Sequence, residues 1–379
     1  MPLPEPSPDA LATSQALHQL ISNEILASEG WISFARFMEL ALYAEGLGYY
    51  AGGSVKLGKG GDFTTAPEIT PLFGTTIARF AAELAGEAPI RLLEFGAGSG
   101  KLARDILQAC MACGQTVEDY VIIELSADLR DRQAGLLAEF PQVRWLDAPP
   151  AAFSGLVLGN EVLDAMPVPL VVKKGGRWQE RGVCIADGSF SFADRDCDQD
   201  LVAQIPDAGA LPDGYLTEVH PVQAGFIRTV ADMLLAGGQG AALLIDYGFP
   251  AAEYYLAERS EGTLMCHYRQ HAHPDPFFLP GLQDVTAHVD FTDVARTGLE
   301  AGLSLLAYMS QAAFLLQAGL PELLQRSSPD NVLDWLPQSN AVQKLTSPAE
   351  MGELFKVLLM GVGCAVPDRF LDHDRSFRL

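Results

Sequence analysis

Positive charge is scarce in this 379-residue chain: Lys and Arg total 25 against 48 Asp and Glu, a formal net charge of −23. A nucleic-acid surface needs a basic patch to meet phosphates, so this balance argues against nucleic acid as a partner. It favours a basic partner, such as a protein presenting Arg or Lys. No Lys or Arg precedes Arg36. The basic start of a secretory signal and the Arg-rich pattern of a mitochondrial transit peptide are both missing, and the cytoplasm is the expected compartment. Cysteine is sparse too: Cys110, Cys113, Cys184, Cys197, Cys266 and Cys364 are too scattered for a disulfide framework. Cys110 and Cys113 have CxxC spacing, but they fall in a predicted helix without a second pair, which reads as helix packing rather than a metal or redox centre. The longest uncharged run, residues 301–321, includes Ser304, Ser310, Gln311 and Gln317. It reads as a buried helix with its flanks, and no membrane insertion is expected. Composition leaves the oligomeric state open, a homodimer included.

What is present is apolar and periodic. Hydrophobic residues make up 49% of the chain, enough for a sizeable core. Residues 1–10 hold four prolines and read as a loose tail; residues 11–46 read as helical, with Leu17, Leu20, Ile21 and Ile25 on one face and Phe34, Phe37, Met38 and Leu40 repeating it. Glycine-rich residues 47–61 read as loop, and Thr70 and Pro71 open a helix to about residue 84. Strands are then predicted at residues 90–95, 120–123, 143–146, 155–158 and 240–245, with helices at 102–113, 126–140 and 221–236. That alternation implies a parallel sheet with right-handed crossovers, a doubly wound α/β fold. Residues 169–192 interrupt it with short antiparallel strands turning on Gly175-Gly176 and Asp187-Gly188, an insertion between the fourth and fifth core strands. Residues 262–280 show little periodicity. Helix returns over 291–324, broken by a candidate strand near 303–306; Ser347 and Glu350 have capping-box spacing, and 356–360 reads as a last strand.

The main chemical signal is the string Glu94-Phe95-Gly96-Ala97-Gly98-Ser99-Gly100-Lys101 at the end of the first core strand. Glycines let the backbone turn sharply and let a ligand approach closely, and the carboxyl end of this strand is where open α/β sheets bind ligands. The dinucleotide fingerprint counted from Gly96 would need glycine at 101, where Lys101 stands. An acid at Glu94 would repel a pyrophosphate and suits a cationic ligand, such as the sulfonium and amino group of S-adenosylmethionine (SAM). Glu124 ends the second strand, placed to accept hydrogen bonds from both ribose hydroxyls. Asn160 and Glu161 leave the fourth strand, where they could touch the cofactor or orient a methyl acceptor; the competing reading is a helix N-terminus capped by Asn160 with Glu161 favouring its dipole. Upstream, Asp62, Thr64, Thr65 and Glu68 beside Gly60-Gly61 look like a lid over the cofactor, while Thr65 and Glu68 also have capping-box spacing. His267, Tyr268, Arg269, His271 and His273, followed by Asp284, Thr286, His288 and Asp290, match no standard zinc spacing and no clear helix or hairpin.

These strings, with Gly48-Tyr49-Tyr50, Asn160-Glu161-Val162-Leu163-Asp164-Ala165-Met166-Pro167, Ile245-Asp246-Tyr247-Gly248 and Asp284-Val285-Thr286-Ala287-His288, resemble the MidA-like class I SAM-dependent methyltransferases. That family includes a mitochondrial complex I assembly factor that methylates an arginine. The resemblance implies a Rossmann-like SAM-binding fold, SAM as cofactor, and a bacterial-type cytoplasmic relative that methylates protein; the spacing of the histidines and acids gives no metal site. The implied organisation is an N-terminal helical segment and lid over 1–88, a core over 89–260 with a β insertion at about 168–193, and a substrate-side loop, helices and final strand over 261–379. Cofactor contacts are expected from Asp62, Thr64, Thr65, Glu68, Glu94, Gly96, Gly98, Gly100, Glu124, Asn160 and Glu161, and catalytic roles from Glu161, Asp164, Asn160, Asp284 and His288. An arginine acceptor calls for carboxylates, among them Glu161, Asp164, Glu68 and Asp284. A small-molecule O- or N-acceptor would instead use His288 or His267 as general base. A third reading is a non-catalytic assembly factor that keeps the fold.

Overall fold

The computed structural model describes residues 3–52, 65–326 and 331–379. They form two compact units, each assembled from separate stretches of chain: one from residues 64–163, 226–248 and 291–379, the other from residues 1–63, 164–225 and 249–290. The sequence divides into consecutive segments on paper; the contacts interleave them.

The first unit is built on seven strands of an eight-stranded sheet: β1 (Ile90–Phe95), β2 (Val117–Ile123), β3 (Val143–Leu146), β4 (Gly155–Asn160), β5 (Gly240–Phe249), β6 (Ser304–Ser310) and β7 (Phe355–Val362). Their spatial order is β3-β2-β1-β4-β5-β7-β6. β1 to β5 run parallel to one another, and β7 is antiparallel to both β5 and β6. The order reverses between β1 and β4, and that switch point opens the crevice where such sheets bind ligands. β1 is buried along almost its whole length, as befits a central parallel strand covered on both faces. Helices α1 (Pro71–Ala85), α2 (Lys101–Ala112), α3 (Ala127–Leu136), α4 (Pro221–Gly237) and α5 (Phe291–Glu300) accompany the strands. α1 starts where the sequence places it: Pro71 occupies the first turn and the Thr70 hydroxyl accepts from the N–H of Leu72 at 3.2 Å. Its buried Phe80 meets Phe314 and Phe370 edge-on, with centroids 5.4 and 5.3 Å away. Each such ring is worth about 1.5–3 kcal/mol of burial. Cys110 packs into this same core, where burial pushes its thiol up to about 11.

The second unit carries the N-terminal helices and the antiparallel elements. Helix Pro8–Ala27 begins inside the stretch that composition marks as tail, because Ser7 caps it and Pro8 sits in its first turn. Glu29 and Gly30, at φ +57° and +78°, separate it from helix Phe34–Tyr43. The inserted strands Leu170–Lys174, Arg177–Ala186 and Ser189–Asp196 pair antiparallel. Their two-residue loops are Gly175-Gly176 and Asp187-Gly188, all at positive φ, the geometry that matches strand twist. Residues 262–280 depart from the sequence expectation. Met265–Tyr268 pairs with His271–His273 and with Asp284–Thr286 in a small antiparallel sheet. Its turn, Arg269-Gln270, takes positive φ at both positions without the usual Asn or Gly, which is why no turn signal is visible. The capping box at Ser347 and Glu350 does not form either: Glu350 precedes helix Met351–Leu354 without a side-chain cap bond. Among the described residues, no helix is long and apolar enough to cross a membrane.

Candidate active site

The chain leaves β1 through Gly96, Gly98 and Gly100, whose φ values are +62°, +55° and +80°. The left-handed region disfavours any Cβ, so the alternate spacing of glycines is a backbone requirement. Gly96 N–H donates to the Ile123 carbonyl at 2.9 Å, which ties the turn to the end of β2. Glu68 fastens the other side. The spacing of Thr65 and Glu68 predicts a capping box, yet Thr65 makes no side-chain cap bond to helix Ala66–Ile69. The Glu68 carboxylate instead accepts from the Ser99 hydroxyl and pairs with the Lys101 ammonium. These partners lie on the glycine turn and outcompete the local cap. Asp62 and Thr64 fall outside the described residues.

Two carboxylates stand at adjacent strand ends. Glu94 is only 3% exposed, and the Tyr120 hydroxyl donates to its Oε2 at 2.7 Å. Burial pushes the Glu94 carboxyl up to about 7, reinforced by the nearby Glu124 charge and opposed by the Tyr120 hydrogen bond. Burial also raises Glu124, whose oxygens accept from Ser126 N–H at 3.1 Å and Gln133 Nε2 at 3.1 Å. A cation held by Glu94 needs the ionised form, and protonation below about pH 7 removes it. Affinity for S-adenosylhomocysteine (SAH), which keeps the amino group, is therefore expected to fall with acidification, by up to about tenfold per pH unit below that value. Tyr120→Phe removes the donor and should move the midpoint to higher pH. Calorimetry across pH 5.5–8.5 checks both; a flat profile would take Glu94 out of the cation-binding role.

At the end of β4 the sequence allows a helix capped by Asn160. No helix follows. Glu161 takes φ +54°, and its N–H donates to the Ile245 carbonyl of β5 at 2.8 Å. The buried Asp246 carboxylate accepts the next two backbone N–H groups, Val162 at 3.2 Å and Leu163 at 2.9 Å. Donors that a helix N-terminus would leave open are thus claimed by β5, and the chain turns away. A non-glycine residue at positive φ costs about 1–3 kcal/mol and persists only where its surroundings enforce it. Asn160 Nδ2 donates to Glu161 Oε1 at 3.2 Å, while Asn160 Oδ1 is buried without a partner among the described residues. Asp246, Tyr120, Gln133 and Trp145 are the residues of this site to which sequence spacing assigns no role.

The remaining candidates lie in the second unit. Asp284 is buried and accepts from the Tyr50 hydroxyl at 3.0 Å. Burial raises the Tyr50 phenol well above its ordinary value, and the charges of Asp284 and Asp164 add to it. The small sheet sets His267 directly opposite Asp284. The His288 ring stacks on Phe249, centroids 5.2 Å apart and planes within 4°, and the backbone N–H of His288 donates to Thr263 Oγ1 at 3.0 Å.

The switch-point crevice, the left-handed glycine turn, the strand-end carboxylates and the orphaned Asn160 oxygen together fit a small ligand with cationic and hydroxyl groups, and SAM has both. Strand order and site define a class I SAM-dependent methyltransferase. The chain belongs to the family described as "Putative S-adenosyl-L-methionine-dependent methyltransferase", whose model matches residues 72–309. A crystal structure of a Burkholderia thailandensis protein bound to S-adenosyl-homocysteine is 49% identical, covers 100% of both chains and superposes with a TM-score of 0.92. The Drosophila melanogaster "Protein arginine methyltransferase NDUFAF7 homolog, mitochondrial" is 29% identical over 97% of this chain and 91% of its own length. The Homo sapiens "Protein arginine methyltransferase NDUFAF7, mitochondrial" is 27% identical over 87% of this chain and 80% of its own. The chain is a SAM-dependent methyltransferase. The cytoplasmic expectation draws no support from these relatives, whose names place them in mitochondria.

Proposed function

We propose that the methyl acceptor is the guanidinium of an arginine in a basic protein, with Glu161 as the residue that orients it. The observation that carries this reading is the strained φ of +54° at Glu161, held by the backbone of β5 at the end of β4. Strain held in place at the end of a central strand motivates the assignment of a directed side chain there. When bound, SAM supplies an electrophilic methyl group on a cationic sulfur. Asn160 and Glu161 would align the acceptor with that methyl, and ideal alignment lowers a barrier by about 7–11 kcal/mol. Glu161 accepts hydrogen bonds from the guanidinium and stabilises its charge, as carboxylates do in bidentate pairs. Glu94 and Glu124 take the cationic and ribose ends of the cofactor; Gly96, Gly98 and Gly100 let it approach, and Glu68 secures their turn. The acidic balance of the chain, −23, and the names of the curated relatives support a basic protein substrate.

The test is methyl transfer from tritiated SAM to size-fractionated cell extract, followed by acid hydrolysis of the labelled material. Label in methylarginine of the protein fraction is the expected result. Label confined to small molecules, or to lysine, would overturn the arginine reading.

A further inference from the structure

Gln133 lies on α3, fully buried, and uses both hydrogens and the oxygen of its amide. Its Nε2 donates to the Gly98 carbonyl at 2.9 Å and to Glu124 Oε2 at 3.1 Å. Its Oε1 accepts from the indole Nε1 of Trp145, on β3, at 2.9 Å. An indole nitrogen only donates, so the amide oxygen must face Trp145 and the amide nitrogen must face the two acceptors. Trp145 thereby fixes which way the amide points. The same side chain closes over the turn: a Cβ at Gly100 would stand 3.3 Å from Gln133 Cγ.

The two acceptors sit on different strand ends, Gly98 beyond β1 and Glu124 beyond β2. One amide therefore bridges the glycine turn and the carboxylate, beside the Gly96–Ile123 backbone hydrogen bond. We infer that Gln133 is a positioning residue for cofactor binding, which holds the Glu124 carboxylate against the glycine turn in the orientation that receives the ribose hydroxyls. This rests on the reading of Glu124 as the ribose acceptor. The groups facing Glu124 are the backbone N–H groups of Ser126, Gly98 and Leu125, the Gln133 amide and, on neighbouring β1, the Glu94 carboxylate. Backbone donors and the Gln133 amide offset the burial of this carboxylate, the amide being the side-chain donor among them.

Three variants separate the outcomes, each titrated with SAH by calorimetry at pH 5.5–8.5 and reported as a ratio to the unsubstituted protein at the same pH. Glu124→Ala should weaken SAH roughly ten- to hundredfold. Gln133→Glu replaces the donor with a second carboxylate; at pH 8 the loss should approach that of Glu124→Ala. As the pH falls, the facing pair takes up a shared proton, donation returns, and the ratio should recover several-fold. Trp145→Phe frees the amide to flip and should weaken SAH severalfold with no such recovery. A loss in Glu124→Ala with unchanged or pH-independent affinity in Gln133→Glu would overturn the positioning role and leave the ribose reading standing. Unchanged affinity in Glu124→Ala would overturn the ribose reading, and the inference with it.

Discussion

Glu161→Gln should cut methyl transfer at least about a hundredfold, the scale of losing one electrostatic stabiliser in an active site, while SAH affinity and melting temperature stay near their original values. The substitution keeps the size of the side chain and the oxygen that accepts from Asn160 Nδ2. It keeps the backbone strain as well, since glutamine at φ +54° meets the same steric cost as glutamate. What it removes is the charge. The rival role, a carboxylate favouring a helix dipole, would be worth about 0.3–1 kcal/mol of stability. The chain makes no helix at this point, so that role has nothing to act on. Single-turnover rates, calorimetry and thermal melting on the one variant decide the matter, and intact turnover would contradict the assignment.

Gly96→Val should remove SAH binding at micromolar concentrations, a loss of about a hundredfold or more, equivalent to roughly 2.7 kcal/mol. Gly96 sits at φ +62°, where a β-branched residue is a genuine outlier. Space is not the first obstacle, because a Cβ there would meet Val162 Cγ2 at an ordinary 3.4 Å. The backbone must therefore change, and it carries the N–H bonded to Ile123, so the turn and the end of β2 move together. A strain of about 1–2 kcal/mol is small beside a typical stability of 5–15 kcal/mol, and the protein should stay folded. Circular dichroism and melting establish the fold, and calorimetry establishes the loss. A folded variant with near-normal affinity would place the cofactor elsewhere.

The parts of this site that follow from local sequence were legible in it. An apolar strand, an acid and alternate glycines announce β1 and its turn, because left-handed backbone has few other solutions. Val121, Ile122 and Ile123 before Glu124 announce β2 in the same way. What local pattern misses is decided by tertiary partners. Glu68 has the spacing of a cap but turns to Ser99 and Lys101. Asn160 has the composition of a cap, yet the N–H of Val162 goes to Asp246, 84 residues beyond Val162. Gln133 reads as an ordinary polar helix residue until α3 docks and brings it to Gly98, 35 residues away. The hairpin at Met265–Tyr268 and His271–His273 stays hidden because Arg269 and Gln270 adopt turn geometry that their residue types do not advertise.

Hydrogen–deuterium exchange of the full chain with and without SAH tests the location of the cofactor most directly. Backbone amides that a ligand orders or covers exchange more slowly, and the protected peptides report where it sits. Protection is expected at residues 95–101 after β1, 124–126 after β2 and 160–163 after β4, with the inserted strands over 170–196 unchanged. Protection confined to the inserted strands, with the three strand ends unaffected, would contradict the site described above.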